Sequence, residues 1–242
     1  SSYDITAASE IMAILALDKD IDDLKEKKKK IVLGRNRKGG IITIGDIKAN
    51  GAMAAILKHA VKPNLVQTIE GQAALIHSGP FGNIAHGCSS IIGDDIALHL
   101  TDYVVTEAGF GSDLGAEKFF DIKCRQSGHF PNAAVLVTTV KALKIHGGVE
   151  YDKDKIKVKN VEAVEKGLEN LDAHISNITA FGVPVIIALN RFDTDTDEEI
   201  EVVEKHIPNT SAAGFALFEG VAEGGKGAVD LANLVVEVAE NN

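Results

Sequence analysis

Two apolar runs, Ala133-Ala134-Val135-Leu136-Val137 and Val183-Pro184-Val185-Ile186-Ile187-Ala188-Leu189, decide the fold. Each is short, largely β-branched and unbroken by charge, as a strand buried on both faces should be. Between them Val161, Val164, Leu168, Leu171, Ile175 and Ile178 recur at spacings of 3, 4, 3, 4, 3, one apolar face of a helix with charges opposite. A strand, a helix and a second strand of this kind make a parallel crossover unit. The pattern extends outward. Tyr103-Val104-Val105-Thr106 reads as a further firm strand, Leu65 to Ile69, Ala73 to Ile76 and Phe215 to Phe218 as shorter ones, and Ala228 to Val238 as a closing helix. The expected class is α/β, a doubly wound, mainly parallel sheet. Towards the start, helices are predicted over Ile5 to Leu17, capped by Asp4 or Thr6, over Asp22 to Lys30, and over Gly45 to Val61 ahead of Pro63. Ile31 to Ile44 is predicted to be an inserted β-hairpin with a basic, glycine-containing turn over Arg35 to Gly40. Lys27 to Lys30 reads as a solvated face and Glu150 to Lys159 as an exposed excursion.

The chain has 242 residues, 45% hydrophobic and 25% charged, with a net charge of −10. It is long enough for its own core. An acidic balance argues against nucleic acid or an anionic membrane surface as partner, both of which favour a basic face. Two cysteines, Cys88 and Cys124, make no disulfide framework, so the expected compartment is the cytoplasm. No apolar run approaches the ~18 residues of a membrane span. The chain opens Ser1-Ser2-Tyr3-Asp4 without an initiating methionine, which reads as the interior of a longer polypeptide.

Ligands of such sheets bind beyond the carboxyl ends of strands, so glycine-rich text following a strand is where chemistry is expected. Three stretches qualify. His77-Ser78-Gly79-Pro80-Phe81-Gly82-Asn83-Ile84-Ala85-His86-Gly87-Cys88 combines glycines that admit a ligand with histidine and asparagine side chains ahead of a helix. The spacing of His77, His86 and Cys88 matches no zinc pattern, and no metal site is expected. Thr106-Glu107-Ala108-Gly109-Phe110-Gly111-Ser112 places Phe110 between bare glycines, which suits stacking on a flat ligand. Its glycines fall one residue off the dinucleotide fingerprint, and no acid follows the next strand to hold a ribose. Asn190-Arg191-Phe192 closes the second buried run, with an amide able to read a heterocycle edge and a forked cation for carboxylate or phosphate.

Two lookalikes fail. Gly220-Val221-Ala222-Glu223-Gly224-Gly225-Lys226-Gly227 matches a phosphate loop until Gly227 replaces the Ser or Thr that would hold Mg²⁺. Asp193, Asp195, Asp197 and Glu204 occupy calcium-loop positions, but Glu198 stands where glycine is needed; acids opening a helix explain them better.

Taken together, Asp4 to Ala13, Lys62 to Thr68, the Gly79 to Cys88 block, Thr106 to Phe119, Val137-Thr138-Thr139-Val140-Lys141-Ala142-Leu143-Lys144-Ile145-His146-Gly147-Gly148 and Asn190-Arg191-Phe192 resemble the formate–tetrahydrofolate ligase family. In the fifth of these strings Thr138 stands for the family's usual Ala and Lys141 for its usual Arg, which keeps a charge but gives up a fork. The resemblance implies a P-loop NTPase-like fold. It implies a reaction in which ATP, with Mg²⁺ and a monovalent cation, phosphorylates formate, and N10 of tetrahydrofolate attacks the formyl phosphate. It assigns folate contacts to Gly109, Phe110, Gly111, Asn190, Arg191 and Phe192. The formyl phosphate and nucleotide loop takes His77, Gly79, Pro80, Thr106 and Glu107, and His86 and Asn83 take catalytic roles. Residues 1–148 would complete the nucleotide and formyl phosphate domain, and residues 149–242 would contribute to the folate pocket. The resemblance covers less than half of a full ligase; the family's Walker A loop lies upstream and its C-terminal part beyond Asn242. The expectation is a central segment that is inactive alone and binds no cofactor tightly. Its partners would be small-molecule substrates, the remaining segments of the enzyme and further copies in a homotetramer. The alternatives are a non-catalytic folate-binding or assembly module and, third, an NAD(P)-dependent oxidoreductase.

Overall fold

The computed structural model describes residues 7–242, which divide into two compact units, one ending at His129 and one running from Phe130 to Asn242.

The first unit opens with α1 (Glu10–Leu17). Its cap is Ser9, whose hydroxyl accepts from the Met12 amide at 3.2 Å; the expected caps Asp4 and Thr6 lie outside the described residues. In α2 (Ile21–Lys28), capped by Asp20, Leu24 and Lys28 point inward. Lys28 is fully buried, so the lysine run is not a solvated face throughout; Lys27 and Lys29 pair with Asp23 and Glu26. Next come β1 (Val32–Arg35) and β2 (Ile41–Thr43), the expected antiparallel hairpin. Its turn is held by the Asn36 carboxamide, which accepts from the Lys38 and Gly40 amides.

The helix expected over Gly45 to Val61 shrinks to α3 (Asn50–Ile56). The Asp46 carboxylate accepts from the Thr43 amide at 2.8 Å, and Lys48 sits at φ +57°, a left-handed conformation no α-helix accommodates. The short runs that follow are strands, β3 (Asn64–Gln67) and β4 (Ala73–Ile76), but they pair with each other antiparallel and not within a parallel sheet. α4 (Ile91–Leu100) is capped by Ser90.

Tyr103 to Thr106, expected to be a firm strand, joins no sheet among the described residues, and Val105 is 93% exposed. β-Branched content favours extended backbone, but only a neighbouring ladder makes a strand. From Gly111 the chain is helical to Ser127, with wide π-turns over Gly111–Ala116 and Phe119–Cys124 leading into α5 (Arg125–Ser127).

The second unit is the α/β element that the opening runs predict. β5 (Ala134–Thr138), β6 (Val185–Asn190) and β7 (Gly214–Phe218) form a parallel sheet in that order, with Thr138 beside Leu189 and Asn190 beside Phe218. α6 (Val140–His146) and α7 (Val161–Thr179) connect the first pair, α8 (Asp197–His206) the second, and α9 (Gly220–Glu223) and α10 (Val229–Glu240) follow. Val185 to Leu189 are all at most 1% exposed, so the central strand is covered on both faces. β5 is an edge, with Val135 and Val137 on one side open to solvent.

Val164, Leu168, Leu171, Ile175 and Ile178 of α7 are buried as their spacing requires. At roughly 2 kcal/mol per buried aliphatic side chain, that face contributes on the order of 10 kcal/mol before entropy. α6 and α7 cross in backbone contact: a Cβ on Gly147 would lie 1.8 Å from the Ala163 carbonyl oxygen, and one on Gly167 2.1 Å from that of Leu143.

Candidate functional site

In the first unit the His77–Cys88 stretch does run from a strand, β4, to a helix, α4. Its entrance is clamped. The Nε2 of His77 lies 2.6 Å from the Ala60 carbonyl, which only accepts, and Nδ1 lies 2.7 Å from the Ser90 hydroxyl. Both ring nitrogens of His77 are therefore spent on structure. The next residue, Ser78, sits at φ +53°, a strained conformation for a residue with a Cβ and one that clusters at ligand-binding turns.

Beyond the clamp, glycines stack backbone on backbone. A Cβ on Gly87 would meet the Gly82 Cα at 2.7 Å, one on Gly109 the Gly87 oxygen at 3.3 Å, and one on Gly115 the Gly109 oxygen at 1.7 Å. This stack presses the first glycine-rich loop against the second, packing Gly82 and Gly87 on Gly109 and Gly115 as a backbone cradle between the loop that carries His86 and the loop that carries Phe110.

Phe110 is 74% exposed at the lip, immediately before the π-turn that starts at Gly111 with φ +74°. Such wide turns recur at functional sites because they reaim side chains. Asn83, Thr106 and Glu107 are exposed, and Pro80 is buried. Since no strand precedes the Phe110 loop, the strand–loop–helix context of a dinucleotide site is missing there.

Polar groups under the cradle carry its electrostatics. His86 is 2% exposed, and its Nε2 has no hydrogen-bond partner among the described residues. Burial first, then the Lys123 and Lys118 ammonium groups, push its imidazole down to about 4, so at neutral pH it is uncharged. Lys123, 1% exposed, pairs with Asp94 at 2.5 Å. Burial also pushes the thiols of Cys88 and Cys124 up, the latter to about 11, which makes them poor nucleophiles.

Residues that sequence reasoning missed are Ser90, Asp94, Lys118 and Lys123. Ser90 has a legible signal as a cap ahead of an apolar helix. Lys118 and Lys123 do not, because π-turns shift the phase at which side chains face inward, and nothing in the text links Asp94 of α4 to Lys123.

In the second unit Asn190, Arg191 and Phe192 come together at the carboxyl end of β6, as predicted. Arg191 bonds Glu219 at 3.3 Å and Asp197 at 3.1 Å, so its fork is already engaged by carboxylates. The Lys141 ammonium sits 3.7 Å from the centre of the Phe192 ring, a cation–π contact that fixes the ring at the strand end. The Phe192 amide donates to Asp195 at 2.9 Å. Three oxygens are buried without partners among the described residues, Oδ1 of Asn190, Oγ1 of Thr194 and Oδ1 of Asp195. Burial raises the Asp195 carboxyl above its ordinary range against Lys141 and Lys144. A half-exposed ring beside orphaned polar atoms can face a flat heterocycle and read its donors. Of the acids of the calcium lookalike, Asp197 opens α8 beside Glu198 and Glu199, whereas Asp193 and Asp195 precede the helix and Glu204 lies towards its far end.

The whole chain, residues 1–242, matches the family model for formate–tetrahydrofolate ligase. The chain belongs to the formate–tetrahydrofolate ligase family. It is 53% identical over 241 residues to the formate–tetrahydrofolate ligase of Bacteroides fragilis and 54% identical over 241 residues to that of Porphyromonas gingivalis, covering all of this chain and 43% of each relative. The Staphylococcus aureus ligase is 54% identical over 238 residues, 98% of this chain and 42% of that protein. The chain thus spans under half the length of these ligases. Among the described residues no helix is long and apolar enough to cross a membrane.

Proposed function

We propose that this chain supplies the tetrahydrofolate and formyl phosphate loops of an ATP-dependent formate–tetrahydrofolate ligase, and that the complete reaction requires the rest of the ligase. The observation that carries this reading is the glycine stack, which joins the Asn83–His86 and Phe110 loops into one cradle in a chain of this family. In the reaction, formate oxygen takes the γ-phosphoryl of ATP with loss of ADP. The N10 amine then attacks the formyl carbon and phosphate leaves. Charge develops on phosphate and carbonyl oxygens, so fixed N–H donors and cations stabilise it. Neutral, buried His86 suits a hydrogen bond to such an oxygen, and Asn83, exposed on the same loop, suits another. Exposed Phe110, with Gly109 and Gly111 leaving its faces open, suits stacking on one side of the pterin; in the second unit, taken by itself, Asn190 and Phe192 beside the engaged Arg191 suit a polar folate contact. His77 acts by holding the Gly79-Pro80 turn, and Thr106 and Glu107 border the cradle.

Among the described residues no three His, Cys, Asp or Glu side chains converge into a metal-holding group. The doubly wound, P-loop NTPase-like architecture, a monovalent cation, cytoplasmic location and a homotetramer belong to the same proposal. Calorimetric titration of tetrahydrofolate into the chain tests it. Phe110→Ala is expected to weaken binding about tenfold, aromatic stacking contributing about 0.5–1.5 kcal/mol beyond burial. Unchanged affinity removes Phe110 from the pterin site.

A further inference from the structure

Lys118 stands in the short helical link between the two π-turns, eight residues beyond Phe110, and reaches back across the cradle floor. Its ammonium donates to the carbonyl of Gly82 and, at 2.7 Å, to that of Ala85. These two carbonyls bracket Asn83 and belong to the loop that carries His86. Lys118 is half-buried, and among the described residues no carboxylate pairs with it. Lys123 is paired with Asp94 and Lys27 with Asp18 and Asp23, whereas Lys118, like the fully buried Lys28, has no carboxylate in ion-pair contact among the described residues. An ammonium has three donors, and carbonyl dipoles take two without cancelling the charge.

Backbone-to-backbone glycine contact supplies close fit but little attraction, since glycines bury almost no apolar area. Something else must hold the loops together. We propose that Lys118 is a positioning residue that ties the Asn83–His86 loop to the helix behind Phe110 and keeps an unneutralised positive charge beneath the cradle. The charge has two consequences. It helps hold His86 neutral, and it favours an anionic reactant over a neutral one. The inference rests on the ligase reading only for what the cradle holds; the tie is a property of the chain itself.

The test therefore uses readouts that need no substrate. In Lys118→Met, amide hydrogen exchange at residues 82–88 is expected to rise at least tenfold, with β5, β6 and β7 unchanged. His86, followed by its ring proton resonance, is expected to titrate above its parent value of about 4, because a neighbouring cation is gone. Lys118→Arg, which keeps charge and donors, is expected to restore both. If Lys118→Met fails to fold, Lys118→Gln replaces it, retaining one donor group but no charge, and only the His86 titration is expected to change fully.

Exchange at 82–88 and a His86 titration that both ignore residue 118 overturn the proposal. A chain whose loop exchange follows residue 118 but that binds no tetrahydrofolate supports the tie and counts against the ligase reading of the cradle.

Discussion

Lys144 and Glu199 show how one pair of side chains can organise a unit. Both are fully buried, 2.6 Å apart, and Lys144 also donates to the Val158 carbonyl while Glu199 accepts from the Asn160 amide at 2.7 Å. Burial works against the charged carboxylate, but Lys144 and the Asn160 and Thr196 amides outweigh it and hold Glu199 below its ordinary range. The pair thereby pins the Glu150–Lys159 excursion to α8. Lys144→Met should cost about 3–5 kcal/mol in a urea melt, because it strands a buried carboxylate. Adding Glu199→Gln should recover part of the loss, since the amide keeps a cap and sheds the charge; a double variant no better than the single would refute this. The local half of this arrangement was legible, as Thr196-Asp197-Glu198-Glu199 carries the capping-box signature that α8 uses. The long-range half was not, because nothing in the text links Lys144 to Glu199. Arg191 likewise reads as a free anion clamp until Asp197 and Glu219 are seen holding it.

Elements were legible where periodicity met a covered core and illegible where backbone geometry decided. The face of α7 and the continuous burial of β6 follow directly from spacing and composition. Tyr103 to Thr106 had strand composition without a neighbouring ladder, and the helix after Phe110 departed from the 3.6-residue period through its π-turns. Glycines separate these cases experimentally, because their identical letters conceal different surroundings. Gly115→Ala would drive a Cβ to 1.7 Å from the Gly109 oxygen, and Gly167→Ala to 2.1 Å from the Leu143 oxygen. Each should destabilise its own unit by about 1–3 kcal/mol, with helix–helix separation relieving part of the strain. Gly51, inside α3, has open space where a Cβ would stand, and Gly51→Ala should instead raise the unfolding free energy by about 0.5–1 kcal/mol. Equal effects at positions 51 and 115, measured by chemical denaturation, would contradict the stacked-glycine account of the cradle.

At the scale of the whole chain, family and α/β class were readable from long strings and apolar runs, whereas two buried titrating groups were not. Both lie in the first unit and oppose each other. Asp18, 0% exposed, is raised to about 6, chiefly by burial, with Lys27 pulling the other way. Its folded value exceeds the unfolded one near 3.8, so its protonated form favours folding, and that contribution is lost as pH rises from about 4 to 6. His86 is lowered from 6.5 to about 4, so between those values the unfolded chain binds a proton the folded one refuses, and stability rises with pH. At 1.36 kcal/mol per pH unit each group is worth at most about 3 kcal/mol across this window, with opposite signs. The parent should therefore hold nearly constant stability in the first unit from pH 4 to 6, read from exchange of α4 amides under urea. Asp18→Asn should uncover a stability that climbs with pH, and His86→Gln one that falls. A parent profile already as steep as either variant would mean that the two groups do not balance, and parallel profiles in all three proteins would mean that neither is buried as the structure shows.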